Sequence, residues 1–439
     1  MKPREPLPEK IVFQTNDHAL TVFLRTEAGI CLDQIHGMSC GFDITDIGPA
    51  ITRGLCVFDT ADQRHEGTDF HLIESYMEGD RLEIRWEVGN GLIWQSSWQV
   101  QQETGIWNRC DELENTTNSP IEIRRILARI PFGPGQYEIY TQSSNWAREN
   151  QGHWNEIFGG RLSLRSHSGR TTQIANPYLF IRETGAEHGI AFHILPRGNW
   201  SLHVDCTSTT RDEFSPFTVI ELGLSDDTLR VQLAANAKLA LPQILIQNIP
   251  SPQPEANCAV LHRYILEKYF PHPTVAPVVY NTWFDQYDAL NVERLQTQLK
   301  VAKEIGCEVF TIDAGWYGRG DGNWHKQVGD WREKLDGAFH GEMTKFKEEV
   351  RATGLEFGLW VEPERNSPEA PIVREHPEWF LPGLGGFLYP DLSQSLVYQH
   401  VLNELSRLVE TYQLAWMKID FNFELGYSAD ELHDYFDYW

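Results

Sequence analysis

Up to about residue 250, apolar and polar residues alternate over short stretches, as in Leu82-Glu83-Ile84-Arg85-Trp86-Glu87-Val88 and Ile121-Glu122-Ile123-Arg124. Successive side chains of a strand point to opposite faces, so a period of two predicts strands with one buried face. Gly, Asn, Pro and Ser separate the stretches as turns. Many such strands without a long helical pattern predict a large antiparallel β-sandwich over residues 1–250.

The run Ile249-Pro250-Ser251-Pro252-Gln253-Pro254 then breaks the pattern, because proline lacks an amide donor and disfavours helix in the residue before it. Residues 251–276 are expected to form a linker and an amphipathic helix, with Leu261, Tyr264, Ile265 and Tyr269 on its apolar face. From Pro277 strand and helix alternate. Strands are predicted at Val278–Trp283, Val309–Asp313, Glu356–Val361 and Leu414–Phe421, with helices near 291–305, 341–353 and 394–412. The βαβα order implies a parallel sheet, and runs such as Val309-Phe310-Thr311-Ile312 are apolar on both sides, as strands covered on both faces must be.

Each strand ends in polar or aromatic residues: Asn281 and Trp283, Asp313 and Trp316, Glu362 and Glu364, and Lys418, Asp420 and Asn422. In a (β/α)8 barrel those positions form the active-site rim. A doubly wound sheet is the alternative, and it too binds ligands at the carboxyl ends of strands. No Gly-rich phosphate fingerprint follows the first strand, so a nucleotide has no support. Four βα units fill residues 277–439, half of what a (β/α)8 barrel holds. The expected architecture is therefore β plus α/β, a sandwich followed by the first half of a TIM barrel. The helical residues Asp430, Glu431, Asp434 and Asp437 are not nominated for the site.

A formal charge of -25, from 37 basic and 62 acidic residues, opposes the phosphate attraction of nucleic-acid binding and repels an anionic membrane. No segment has the length and apolarity of a signal peptide or membrane span, so a cytoplasmic chain is expected. Cys31, Cys40, Cys56, Cys110, Cys206, Cys258 and Cys307 include no CxxC pair and read as buried, reduced thiols. Asp321, His325 and His340 are expected in a loop rather than on one helix face, and no metal site is expected there. Most of the 15 tryptophans should fill cores, and the numerous surface Glu and Arg elsewhere should form a solvated face.

In Lys418-x-Asp420-x-Asn422 the three side chains share one side of a strand. An ammonium beside a carboxylate favours its ionised form, and Asn422 adds a hydrogen-bond donor nearby. Glu362 and Glu364, flanking Pro363, look superficially like a paired acid and base.

These motifs resemble glycoside hydrolase family 36, the bacterial-type α-galactosidases. The resemblance rests on Asn281-Thr282-Trp283, Asp313-Ala314-Gly315-Trp316-Tyr317-Gly318, Phe357-Gly358-Leu359-Trp360-Val361-Glu362-Pro363-Glu364 and Met417-Lys418-Ile419-Asp420-Phe421-Asn422. Gly329-Asp330-Trp331 and Tyr389-Pro390-Asp391-Leu392-Ser393 fall between them in the family's order. Upstream, Ser144-Asn145-Trp146-Ala147-Arg148-Glu149 and Asn176-Pro177-Tyr178 look like landmarks of that family's N-terminal β-supersandwich.

The resemblance implies a retaining, exo-acting enzyme that needs no cofactor, acts on terminal α-linked galactose and is a homo-oligomer when intact. It assigns Asp420 as nucleophile and Lys418, Asp313, Asp330, Asn422, Trp283, Trp331 and Trp360 to sugar binding, with Glu362 and Glu364 supporting the pocket. The acid/base carboxylate is expected beyond Trp439, which would leave these residues inactive by themselves and open to association along the exposed barrel edge. Three departures point to a divergent subgroup: Ala314 replaces a second aspartate, Gly383-Leu384-Gly385-Gly386-Phe387 contains no arginine, and Phe423 stands where arginine is common. An α-N-acetylgalactosaminidase or a transglycosylase is one alternative, and a non-catalytic sugar-binding or assembly protein is another.

Overall fold

The computed structural model describes residues 10–15, 18–25, 29–36, 38–39, 54–66, 71–157, 159–167, 170–172, 174–196, 198–207, 217–224, 226, 229–250, 257–270, 272, 275–319 and 323–422. The expectations for Asp321, Phe423, Asp430, Glu431, Asp434, Asp437 and most of the proline-rich run lie outside them. The chain divides into two compact units, one reaching His272 and the other beginning at Pro273.

In the first unit, the alternating segments pair into two large antiparallel sheets, one of ten and one of seven strands among the described residues. Leu82, Ile84 and Trp86 turn inward while Glu83 and Arg85 turn the other way, as the period of two requires. The next strand, Leu92–Val100, repeats the alternation and sets Trp94 opposite Trp86, with ring centroids 6.3 Å apart. Gly89, Asn90 and Gly91 turn this hairpin with positive φ, and a Cβ on Gly91 would stand 2.7 Å from Thr117 Cγ2. Both sheets contribute to one apolar core, which includes the fully buried Trp86, Trp94, Trp98, Trp107 and Trp200.

The sheets are also joined by buried charge. Arg109, fully buried, places Nε 2.7 Å from Asp111 and donates to the carbonyls of Leu55 (2.6 Å) and Arg129 (3.0 Å) in the other sheet. Its guanidinium carbon lies 4.8 Å from the ring of Trp98. Glu221 accepts from its cross-strand neighbour Arg129 (2.8 Å) and from Arg125 (2.5 Å).

Helix α1 (Cys258–Tyr269) packs within this unit, burying Tyr264 against Ile106 and Leu245. Gln101 donates to Glu267 across the same contact at 2.7 Å. The five cysteines with described side chains are free thiols; Cys110 is half-buried and Cys258 is exposed, so not all are core residues. Cys31 and Cys40 fall outside the described side chains.

The second unit holds β1 (Val279–Asn281), α2 (Val292–Glu304), β2 (Val309–Ile312), α3 (Met343–Ala352), β3 (Glu356–Val361), α4 (Ser395–Tyr412) and β4 (Trp416–Ile419). The four strands are parallel and lie in the order β1-β2-β3-β4. Sequential order without reversal is that of a barrel wall; a doubly wound sheet reverses at its switch point. β1 ends sooner than its apolar run, because the side-chain oxygen of Asn281 accepts from the Trp283 amide at 2.9 Å and the chain turns into a short helix. No helix among the described residues is long and apolar enough to cross a membrane.

Replacing Arg109 by Met should cost the first unit about 3–5 kcal/mol, because Asp111 would be left buried without its cation. Tryptophan fluorescence during urea denaturation would show this as a lowered midpoint; an unchanged midpoint would mean that the guanidinium carries no net stability.

Candidate active site

Parallel register places the carboxyl ends of the four strands side by side, and each delivers a polar group just past its last residue. Asp313 follows β2 and is 2% exposed. Its Oδ2 accepts from Asn281 Nδ2 at 2.7 Å and from Lys418 Nζ at 2.9 Å, and its Oδ1 accepts from the Ala314 amide at 2.9 Å. One carboxylate thus ties β1, β2 and β4 together.

Asp420 follows β4, and its own amide still donates to the Val361 carbonyl of β3 at 2.9 Å. Its Oδ2 accepts from Trp360 Nε1 at 2.9 Å and its Oδ1 from the Phe421 amide at 3.0 Å. Lys418 Nζ stands 3.9 Å from Asp420 Oδ2, so its nearer partner is Asp313. The Asp420 side chain keeps 28% of its surface open. A carboxylate is an acceptor only, so N–H donors on both oxygens fix its orientation while that open side remains for another group.

Trp360, almost fully buried, is the support behind it. Its ring stacks on Tyr317 with centroids 5.7 Å apart and meets Trp324 edge-on at 5.5 Å and Trp331 at 6.1 Å. Its carbonyl accepts from Trp316 Nε1 at 3.0 Å. Trp283 is half-buried and reaches this group through Trp324, 5.7 Å away.

Glu362 follows β3 and is fully buried. It accepts from Arg365 Nη2 at 2.5 Å and from the Asn422 amide at 2.8 Å, anchoring the segment that carries Asp420. The Arg365 guanidinium lies between the rings of Trp324 (4.9 Å) and Phe387 (4.8 Å). Burial pushes the Glu362 carboxyl up and the nearby Asp420 charge adds to this, while Arg365 and the Asn422 amide oppose them.

Asp313, Lys418, Asp420 and Trp360 are brought into direct contact, Trp331 and Trp283 join through rings, and Asn422 joins through its backbone to Glu362. Asp330 is 4% exposed and held by Arg332 Nε at 2.6 Å and Arg319 Nε at 3.6 Å. Trp324 and Arg365 were missed by sequence reasoning. The Glu362/Arg365 spacing of three residues was the one available signal, since it sets opposite charges a single turn apart.

A glycosyl-hydrolase family 36 N-terminal domain model matches residues 72–214, and the Melibiase family model matches residues 257–433. Alpha-galactosidase Mel36A of Lactobacillus acidophilus is 26% identical over 349 residues, covering 75% of this chain and 46% of that protein. Alpha-galactosidase AgaA of Geobacillus stearothermophilus is 24% identical over 393 residues, covering 83% of this chain and 52% of that protein. The chain thus spans about half the length of these curated relatives. The crystal structure of AgaB from Geobacillus stearothermophilus superposes with a TM-score of 0.81 at 17% identity, covering 99% of this chain and 69% of that one.

The fold is that of a glycoside hydrolase with a β-sandwich ahead of parallel α/β strands. The chain belongs to glycoside hydrolase family 36, the α-galactosidase-type family.

A carboxyl whose pKa is higher folded than unfolded stabilises the fold fully below its unfolded pKa and loses that stabilisation as pH rises through the folded one. With Glu362 raised from its ordinary 4.5, the stability of the wild type relative to Glu362→Gln should fall as pH rises above 4.5. Urea midpoints of both proteins across pH 4–7 test this. A difference that grows with pH would show that the Arg365 ion pair outweighs burial.

Proposed function

We propose that this chain supplies the nucleophile side of a retaining, exo-acting α-galactosidase-like hydrolase. The observation that carries the reading is the Asp420 carboxylate, open on one side and oriented by Trp360 Nε1 and the Phe421 amide. In the reaction it attacks the anomeric carbon as the leaving-group bond breaks, forming a glycosyl ester that water then hydrolyses. Lys418 uses one of its three N–H donors on Asp313 and turns the rest to sugar hydroxyls, together with the Asp313 carboxylate and Asn422. Trp283 offers an apolar face, while Trp331 and Trp360 shape the pocket from behind.

Retention also needs a carboxylic acid about 5–5.5 Å from the nucleophile. Asp313 and Glu362 are already committed to strong donors. We assign that role to a group outside the described residues. The relatives support the substrate class: variants of AgaA were solved in complex with raffinose and with stachyose, and the matched curated relatives are named alpha-galactosidases. The free thiols of the described cysteines fit a reducing, cytoplasmic setting.

A related glycone is the second reading, favoured by Ala314, which is 1% exposed and brings no hydroxyl-binding group beside Asp313. A site that hydrogen-bonds a hydroxyl discriminates strongly through that contact. Relative rates on aryl α-galactosides and aryl α-N-acetylgalactosaminides separate the two.

In the intact enzyme, Asp420→Asn should abolish aryl α-galactoside turnover while leaving sugar affinity largely unchanged. Retained turnover would remove Asp420 from the nucleophile role. Asp313→Ala should weaken galactoside binding by about 1–3 kcal/mol in calorimetry, through lost hydrogen bonds to a charged group. Unchanged affinity would leave Asp313 as a strand tie alone.

A further inference from the structure

In the first unit, a cleft of about 320 Å³ opens between α1 and the larger sheet. Its lining includes Leu245, Ile249, Leu261 and Ile265, and no Asp, Glu, Lys or Arg among the described residues. That is unusual on a chain with 23% charged residues and a formal charge of -25. Small-molecule sites commonly have this form, about 300–1,000 Å³ of mostly apolar wall with a few fixed polar groups.

The polar groups here are oriented by their neighbours. Asn176 Nδ2 donates to Gln142 Oε1 at 2.7 Å and to Asn150 Oδ1 at 2.6 Å, which fixes the amide and leaves Oδ1 buried with no hydrogen-bond partner among the described residues. Gln247 Nε2 donates to the Asn257 carbonyl at 3.1 Å, so Gln247 Oε1 is the acceptor that faces His193 Nε2 at 3.3 Å. His193 must then carry its proton on Nε2, and Nδ1 is left as an acceptor. Burial pushes the His193 pKa down to about 4, in keeping with a neutral ring. The ring of Tyr178 lies 4.9 Å from it.

We infer that this cleft is a second saccharide site, separate from Asp420, that takes a neutral sugar. A purely apolar ligand would press hydrocarbon on the amide and imidazole residues of the lining, and a charged one would find no counter-charge there. A pyranose carries hydroxyls around its rim and an apolar C–H face, which matches a lining of Asn176, Gln247 and His193 beside Tyr178 and the aliphatic side of α1. The site is independent of the chemistry proposed for Asp420, so either reading can fail without the other.

Cys258 gives a direct reporter, because its thiol is exposed and lines the same cleft. Alkylation of Cys258 by a maleimide, followed by peptide mass mapping, should be slowed several-fold by methyl α-galactoside and left unchanged by galacturonate. Asn176→Leu should remove the protection while leaving the unprotected alkylation rate as in the wild type. Leu261→Trp, which fills the cleft, should remove it as well and covers the case in which the first variant fails to fold. Absence of protection in the wild type would overturn the assignment, as would equal protection by galacturonate or protection that survives Leu261→Trp in a folded protein.

Discussion

Two carboxylates repel when strand ends bring them close, and here the ammonium of Lys418 serves both across the intervening β3, 2.9 Å from Asp313 and 3.9 Å from Asp420. The arrangement at the rim depends on that cation. Asp313 can be buried because Lys418, Asn281 and the Ala314 amide all donate to it. Asp420 can then remain partly open, since its own donors come from Trp360 and Phe421. Asp313 is thus the carboxylate that ties the strands, and Asp420 is the one with the more open side.

The same rule governs charge elsewhere in the molecule: it is buried only in company. Glu221 with Arg125 and Arg129 couples two strands of the sandwich core, and Arg109, paired with Asp111 on its own strand, reaches the carbonyls of Leu55 and Arg129. Glu362 with Arg365 is buried in the segment after β3, with two aromatic rings closing over the guanidinium. Single members of such pairs are costly to remove, because the partner stays buried without compensation. The cleft beside α1 is the counter-example, with fixed acceptors and no charge in its described lining.

Trp360 links the apolar core to the chemistry. Its ring is packed among Tyr317, Trp324 and Trp331, and the same side chain aims Nε1 at Asp420. A side chain locked by packing holds a hydrogen bond in one geometry, which is what an oriented nucleophile requires. Glu362 acts similarly through the backbone of Asn422, two residues beyond Asp420.

The sequence by itself determined the elements and their faces. A period of two could only bury Leu82, Ile84 and Trp86 together, and the apolar runs of β2 and β3 could only sit in a sheet covered on both sides. It also placed Asn281, Asp313, Glu362 and Asp420 at strand ends, since periodicity shows where a strand stops. Tertiary structure decided what those residues touch. Lys418 is two residues from Asp420 in sequence yet pairs more closely with Asp313, and Arg365 found its place between Trp324 and Phe387. Arg109 and Glu221, which the sequence does not single out, are buried ties. The physical reason is range: strand and helix patterns are local, whereas a charge or an acceptor is satisfied by whichever group the fold brings within about 3 Å, however distant along the chain.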